Sequence, residues 1–527
     1  MGAKRPMTRT KMLSSPRLVL GVFWVIAGLF HFVTMPRFTY PGDNMAIKAE
    51  AAHWVNTGNI GFDPAEAGML EDLVTQEGQY FFANPASRRL FSKYGFFYSA
   101  SYLLPFWLAK QITGGVEVLD DSVPVTFTLN CYHLIWALIY LIYLYRIFRS
   151  FCCRQGLALA LVFLAVYPSF IWSYLRAPEK EILQMTAFAG AVFHMIRYLG
   201  SSRELRPSGG QLTMALCWAG YAYFLKPFNV LLLVAMATAT VSDALRHGLT
   251  LGTGPGERAV SPWRKPLAAL GLTLIGIAIL SATHNVLRTG TMLDAGYGQD
   301  RTVPAEFIFT LDHFAKGLAT YFVTPGNGNW FLHQPLLLLA LFGFPAFFQR
   351  YRSESVFLLM GVSLPLVALC FHVEWVGEWC YGPRFCLPLI MMAVIPAAPA
   401  LERLVSPGLW GGGRAVALAL LVATTVVSLR GQFLINTWHY FTYYYYFVPF
   451  DTLKIELATR YFEQMPNRAL LLRDLTRYRQ EGRKFALLTD IDQAGLPPAT
   501  VGFVYALTDR VIDQYRWNYL LLPQPNP

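Results

Sequence analysis

Long apolar runs recur along this chain, separated by short loops rich in arginine and lysine. A membrane-crossing helix needs roughly 20 apolar residues. On that measure the pattern predicts eleven spans, over 18–34, 125–145, 156–174, 182–196, 211–225, 228–245, 266–287, 331–348, 355–373, 385–401 and 415–430. The loops set their direction. Lys4, Arg5, Arg9, Lys11 and Arg17 precede the first run with no acid among them, and basic residues recur at 146–154, 197–206, 246–265, 350–352 and 403–414. Positive charge gathers on the cytoplasmic side of short loops. Placing all of these inside puts the N-terminus in the cytoplasm and the C-terminus outside.

Two stretches bend this scheme. Gly95 to Ile112 is apolar, yet Glu117, Asp120 and Asp121 follow it and read as external. A full crossing would put the basic 146–154 loop outside, so this stretch is expected to be re-entrant or interfacial; a full crossing paired with one extra span is the alternative. The 211–245 region is interrupted by Lys226-Pro227 and reads either as two spans or as one broken helix, since proline is tolerated inside membrane spans. The first run lacks a small-residue cleavage site and reads as a retained helix. The resulting division is a membrane domain over 1–430, with external loops at 35–123 and 288–330, and a small external C-terminal segment over 431–527. That segment has a helical stretch near 451–478 and strand-like 485–488 and 501–507, an α/β cap.

Composition supports the membrane class. Of 527 residues, 54% are hydrophobic and 14% charged, against about 25% charged in soluble domains. The net charge of +11 lies mostly in the inner loops, where it needs no nucleic-acid partner to explain it. Of seven cysteines, only Cys380 and Cys386 fall on the outer side, so a disulfide framework is not expected, and no metal-type spacing occurs.

The external segments carry the candidate chemistry. Asp43 lies in Tyr40-Pro41-Gly42-Asp43-Asn44 just past the first run, and Lys93-Tyr94 precedes the next apolar stretch. Glu179, Glu181, Lys226 and Arg384 all fall at outer ends of spans. Each has a plain structural reading: Asp43 as a helix cap, Glu179 and Glu181 in the first turn of a helix, Lys226 and Arg384 as snorkelling bases. Their coincidence on one face favours a site, because charge beside the bilayer core is costly and usually functional. A carboxylate there suits a general base, and the cations suit an anionic group such as a phosphate. His53, in the amphipathic stretch after Asp43, reads as interfacial more than as a metal ligand. The first-loop carboxylates are of a type that binds divalent cations, without a spacing that specifies one.

In this layout the chain resembles the GT-C superfamily of membrane glycosyltransferases, most of all its aminoarabinose-transferase and protein O-mannosyltransferase branch. The resemblance covers roughly 18–400, as organisation more than identity. It rests on Asp43-Asn44 followed by Gly58, on Lys93-Tyr94-Gly95-Phe96-Phe97-Tyr98, on Pro168 leading to Glu179 and Glu181, and on the run His284 to Gly290 after the seventh span. Asn44 stands where that family carries a second acid, and no proline follows Lys93. The resemblance implies an α-helical polytopic fold and an enzyme moving a sugar from a polyprenyl-phosphate carrier to an acceptor on the outer face, with Asp43 as general base and Lys93 on the lipid phosphate, helped by Lys226 and Arg384. The acceptor would be a glycan, glycolipid or protein. Two other functions remain open: an oligosaccharide ligase or polymerase using a pyrophosphate-linked glycan, which a larger external arginine cluster would favour, and a transporter or flippase, whose site would lie at the bilayer midplane. A purely structural membrane subunit would not need the Asp43 and Lys93 arrangement.

Overall fold

The computed structural model describes residues 16–35, 43–66, 81–116, 123–152, 154–176, 180–203, 208–248, 264–293, 308–324, 328–372, 375, 382–406 and 412–434. Glu179 and the C-terminal segment beyond 434 lie outside the described residues. In chain order the elements are α1 (Pro16–Thr34), α2 (Asp43–Thr57), β1 (Phe81–Ala83), β2 (Leu90–Ser92), α3 (Phe96–Ser101), α4 (Leu103–Thr113), α5 (Val123–Arg149), α6 (Gln155–Val166), α7 (Ile171–Arg176) and α8 (Glu181–Arg203). There follow α9 (Gly209–Leu225), α10 (Val230–Gly248), α11 (Arg264–Thr289), α12 (Leu311–Phe322), α13 (Trp330–His333), α14 (Leu336–Arg350), α15 (Arg352–Cys370), α16 (Leu387–Ala393), α17 (Ala397–Leu404) and α18 (Gly412–Leu434).

The chain is a helical membrane protein, and all eleven apolar runs are helical. Among the described residues, α5, α8, α10, α11, α15 and α18 are each long and apolar enough to cross a membrane, and α16 and α17 form a pair bent by 51°. Several expected spans are broken, and each break contains a proline. The 156–174 run divides at Pro168 into α6 and α7, the 211–245 region at Pro227, the 331–348 run at Pro335 between α13 and α14, and the 385–401 run at Pro396 between α16 and α17. Proline cannot donate to the helical ladder and its ring crowds the preceding turn. Pro345 and Pro365, by contrast, sit inside α14 and α15.

Helix α8 is the axis of the bundle. Within its apolar stretch 83% is buried, and it packs along α9 and α5 with α10 and α16 beside them. At the rim the balance reverses: α11 is 11% and α18 0% buried over the same window. Leu272, Ile275, Ile279, Val422, Val426 and Val427 are exposed there, a surface that suits lipid. The Gly95 to Ile112 stretch forms α3 and α4. Leu104, Trp107, Leu108 and Ile112 face outward, while Phe106 and Ala109 are buried and Lys110 Nζ donates to the Val55 carbonyl of α2 at 3.0 Å. The outward face of α4 is thus apolar and suits lipid.

Candidate active site

The site is built around a short hairpin between α2 and α3. Strands β1 and β2 pair antiparallel, Phe81 opposite Ser92 and Ala83 opposite Leu90. Asn84 shapes the turn, its Oδ1 accepting the Ala86 and Ser87 amides at 2.8 and 2.9 Å. A two-stranded ribbon is marginal alone, and this one is docked: Asn84 Nδ2 donates to the Leu287 carbonyl of α11 at 3.1 Å, and β2 lies on α2. The ribbon delivers Lys93 and Tyr94 into the bundle. Directly after them Gly95 takes φ 81°, and a Cβ there would lie 3.2 Å from His284 and 3.5 Å from Arg288. Only glycine meets both demands without strain.

Tyr94 joins two cations. Its buried ring has Lys180 Nζ at 3.8 Å from the centroid and Lys93 Nζ at 5.4 Å. Lys180 in turn ties down the start of α2, its amide donating to Asn44 Oδ1 at 2.9 Å. Asp43 opens that helix beside Asn44; its side chain lies outside the described residues.

A second aromatic ring organises the other half. Lys226 caps the C-terminal end of α9, where Pro227 ends the helix and Asn229 Nδ2 satisfies the Ala222 carbonyl at 2.7 Å. Lys226 Nζ stands 3.9 Å over the Phe385 ring and the Arg384 guanidinium 5.4 Å from it. Arg384 Nη1 lies 3.6 Å from Glu181 Oε1, an ion pair with little exposure on either side. Gly382, at φ 69°, feeds this turn. A Cβ there would fall 2.5 Å from the Phe170 ring.

Beside the Tyr94 half lies a narrow cleft lined by Lys93, Tyr94, Phe224, Pro227, His284 and Arg288 among others. Phe96, Phe97 and Phe224 stack along one wall with centroids 4.5 and 4.4 Å apart, and the His284 ring sits 4.4 Å from Phe96. Arg288 is buried, crosses the Phe82 ring at 5.1 Å and donates to the Ser92 carbonyl at 2.5 Å. Behind it Glu50 is buried on α2; its oxygens accept the Ser92 amide at 3.2 Å and the Ser99 hydroxyl at 2.5 Å. Burial pushes the Glu50 carboxyl above its ordinary value, while Ser99, Arg288 and the Ser92 amide pull it back.

The structure thus gathers Lys93, Tyr94, Glu181, Lys226 and Arg384 at one end of the bundle, as their positions in the sequence suggest. His53 is elsewhere. It is buried, packs on Phe62 at 4.4 Å and faces Glu66 Oε2 at 3.7 Å, both from the 61–66 turn. Lys180, Arg288, His284 and Glu50 are additions. Lys180 is adjacent to the Glu179 and Glu181 pair, and Glu50 follows Asp43 by seven residues, two helical turns along the same face. Those spacings were the available signals. Among the described residues no group of three or more histidine, cysteine or acidic side chains gathers that could hold a metal ion.

No protein-family model and no curated protein matches the sequence. Among solved structures, ArnT from Cupriavidus metallidurans bound to undecaprenyl phosphate is similar, with 14% identity, 94% of this chain and 76% of that one covered, and a TM-score of 0.45. The archaeal oligosaccharyltransferase AglB from Archaeoglobus fulgidus, in complex with an inhibitory peptide and a dolichol-phosphate, is similar with 14% identity and a TM-score of 0.42. Both proteins belong to the GT-C superfamily. The match covers 78% of this chain and spans 55% of the length of AglB.

Proposed function

We propose that this protein is an integral-membrane glycosyltransferase that moves a monosaccharide from a polyprenyl-phosphate carrier to an acceptor hydroxyl at the outer membrane surface, with inversion. The observation that carries this reading is the cleft itself. Among the described residues, Lys93 and Arg288 line it, Lys180 joins Lys93 on the Tyr94 ring at its edge, and Pro227 brings in the turn whose Lys226 shares the Phe385 ring with Arg384. Charged groups brought together at a bundle end match an anionic lipid headgroup, and the apolar outward face of α4 suits a chain lying in the membrane interface.

In this scheme Asp43 takes the proton of the acceptor hydroxyl as its oxygen attacks the anomeric carbon. The bond from that carbon to the phosphate oxygen breaks, and the carrier phosphate leaves with the electron pair. Lys93 meets the phosphate, with Lys226 and Arg384 supporting it, so that charge growing on the leaving group is stabilised where it develops. Tyr94 and Glu181 hold these cations in place. The acceptor is a glycan, glycolipid or protein hydroxyl.

Purified protein given a panel of polyprenyl-phosphate sugars and envelope acceptors is expected to release polyprenyl phosphate in step with a glycosylated product. No release from any such donor, with the protein folded, would overturn the reading. Orientation is tested separately. Cysteines placed at Thr57, which is exposed at the end of α2, and at Gln514 are expected to react with a membrane-impermeant thiol reagent in intact cells or spheroplasts. Protection of both would reverse the topology.

A further inference from the structure

We propose that Glu50 is a positioning residue that fixes the phosphate-binding lysine relative to the general base; this rests on the function proposed above. The same helix, α2, opens with Asp43 and carries Glu50 two turns later. Glu50 Oε1 accepts the Ser92 amide and Oε2 the Ser99 hydroxyl, so both ends of the 92–99 segment meet on one carboxylate. Lys93, Tyr94 and Gly95 lie between those ends. The peptide that precedes Lys93 is gripped from the other side, where Arg288 of α11 donates to the Ser92 carbonyl. Gly95 adds a third constraint, its left-handed backbone turned against His284 and Arg288.

A buried carboxylate is costly unless its oxygens are satisfied. Glu50 meets that condition with groups that belong to the lysine-bearing segment. The turn therefore cannot shift against α2 without breaking these contacts, and α2 cannot shift without carrying Asp43 with it. Glu50 touches no reacting atom in this arrangement. Its effect passes through the placement of Lys93, and that distinguishes it from a general packing residue.

The distinction is measurable as a cycle of variants, read as the affinity of purified protein for polyprenyl phosphate and as donor KM and kcat. Glu50→Ala is expected to weaken polyprenyl phosphate binding about tenfold, and Glu50→Gln, which keeps an acceptor for the Ser92 amide, about threefold. In a Lys93→Ala background neither change should weaken binding by more than about twofold, because the residue through which Glu50 acts is gone. Multiplying losses in the double variant, or unchanged binding in Glu50→Ala, would overturn the proposal. Thermal unfolding of each variant identifies a fold defect; if Glu50→Ala fails to fold, the cycle with Glu50→Gln decides. Wild-type protein that binds no polyprenyl phosphate would overturn both this inference and the function it rests on, whereas binding by wild type with additive losses removes only the role of Glu50.

Discussion

Asp43→Asn is expected to cut turnover by about 10²- to 10⁴-fold, the usual contribution of a general acid–base group, while polyprenyl phosphate still binds. Asparagine keeps the size of the side chain and its ability to cap a helix. The start of α2 is also held independently, because Asn44 accepts the Lys180 amide at 2.9 Å. The substitution therefore removes the basic oxygen and little else. The check is single-turnover and steady-state kinetics of the purified variant with a saturating lipid-linked sugar. Near-normal activity would leave Asp43 only a capping role.

Lys93→Ala should act on a different step. A charge-assisted contact to a phosphate is worth roughly 1.5–3 kcal/mol, so the apparent KM for the polyprenyl-phosphate sugar should rise by about 10- to 150-fold. A fall in kcat accompanies it if the contact tightens as the phosphate leaves. Lys93→Arg should restore part of the loss, since the charge returns with a different shape. Acceptor affinity should be nearly unchanged. An effect confined to the acceptor, or none at all, would pass the phosphate role to Lys226 or Arg384, which share the Phe385 ring.

Much of this site is visible in the sequence because charge is expensive at the membrane surface. Lys93, Lys226 and Arg384 stand at the ends of apolar runs, where each can be noticed alone. Glu50 escapes for the opposite reason. It lies in a mixed stretch, Ala46-Ile47-Lys48-Ala49-Glu50, that reads as an ordinary two-faced helix, and only the packing of β2 and α3 over it makes it buried. Arg288 looks like a helix-end base until the hairpin brings Ser92 to it. The hairpin has strands of three residues each, too short for an alternating pattern to register. His53, one turn beyond Glu50 and buried like it, packs on Phe62 and meets Glu66, contacts supplied by the 61–66 turn that its own stretch of sequence does not show. The breaks at Pro168, Pro335 and Pro396 were present as residues, but whether a proline kinks a span or ends it depends on neighbours that re-satisfy the opened backbone.

The Tyr94 ring, with Lys180 at 3.8 Å and Lys93 at 5.4 Å, has a consequence for the end of the catalytic cycle. A polyprenyl-phosphate sugar is a phosphodiester with one negative charge. The spent carrier is a monoester that approaches two near neutral pH. Two ammonium groups held near one ring attract the second form more than the first. On the proposed reaction the spent carrier therefore competes with fresh donor for the same cations, and added polyprenyl phosphate should inhibit as a product.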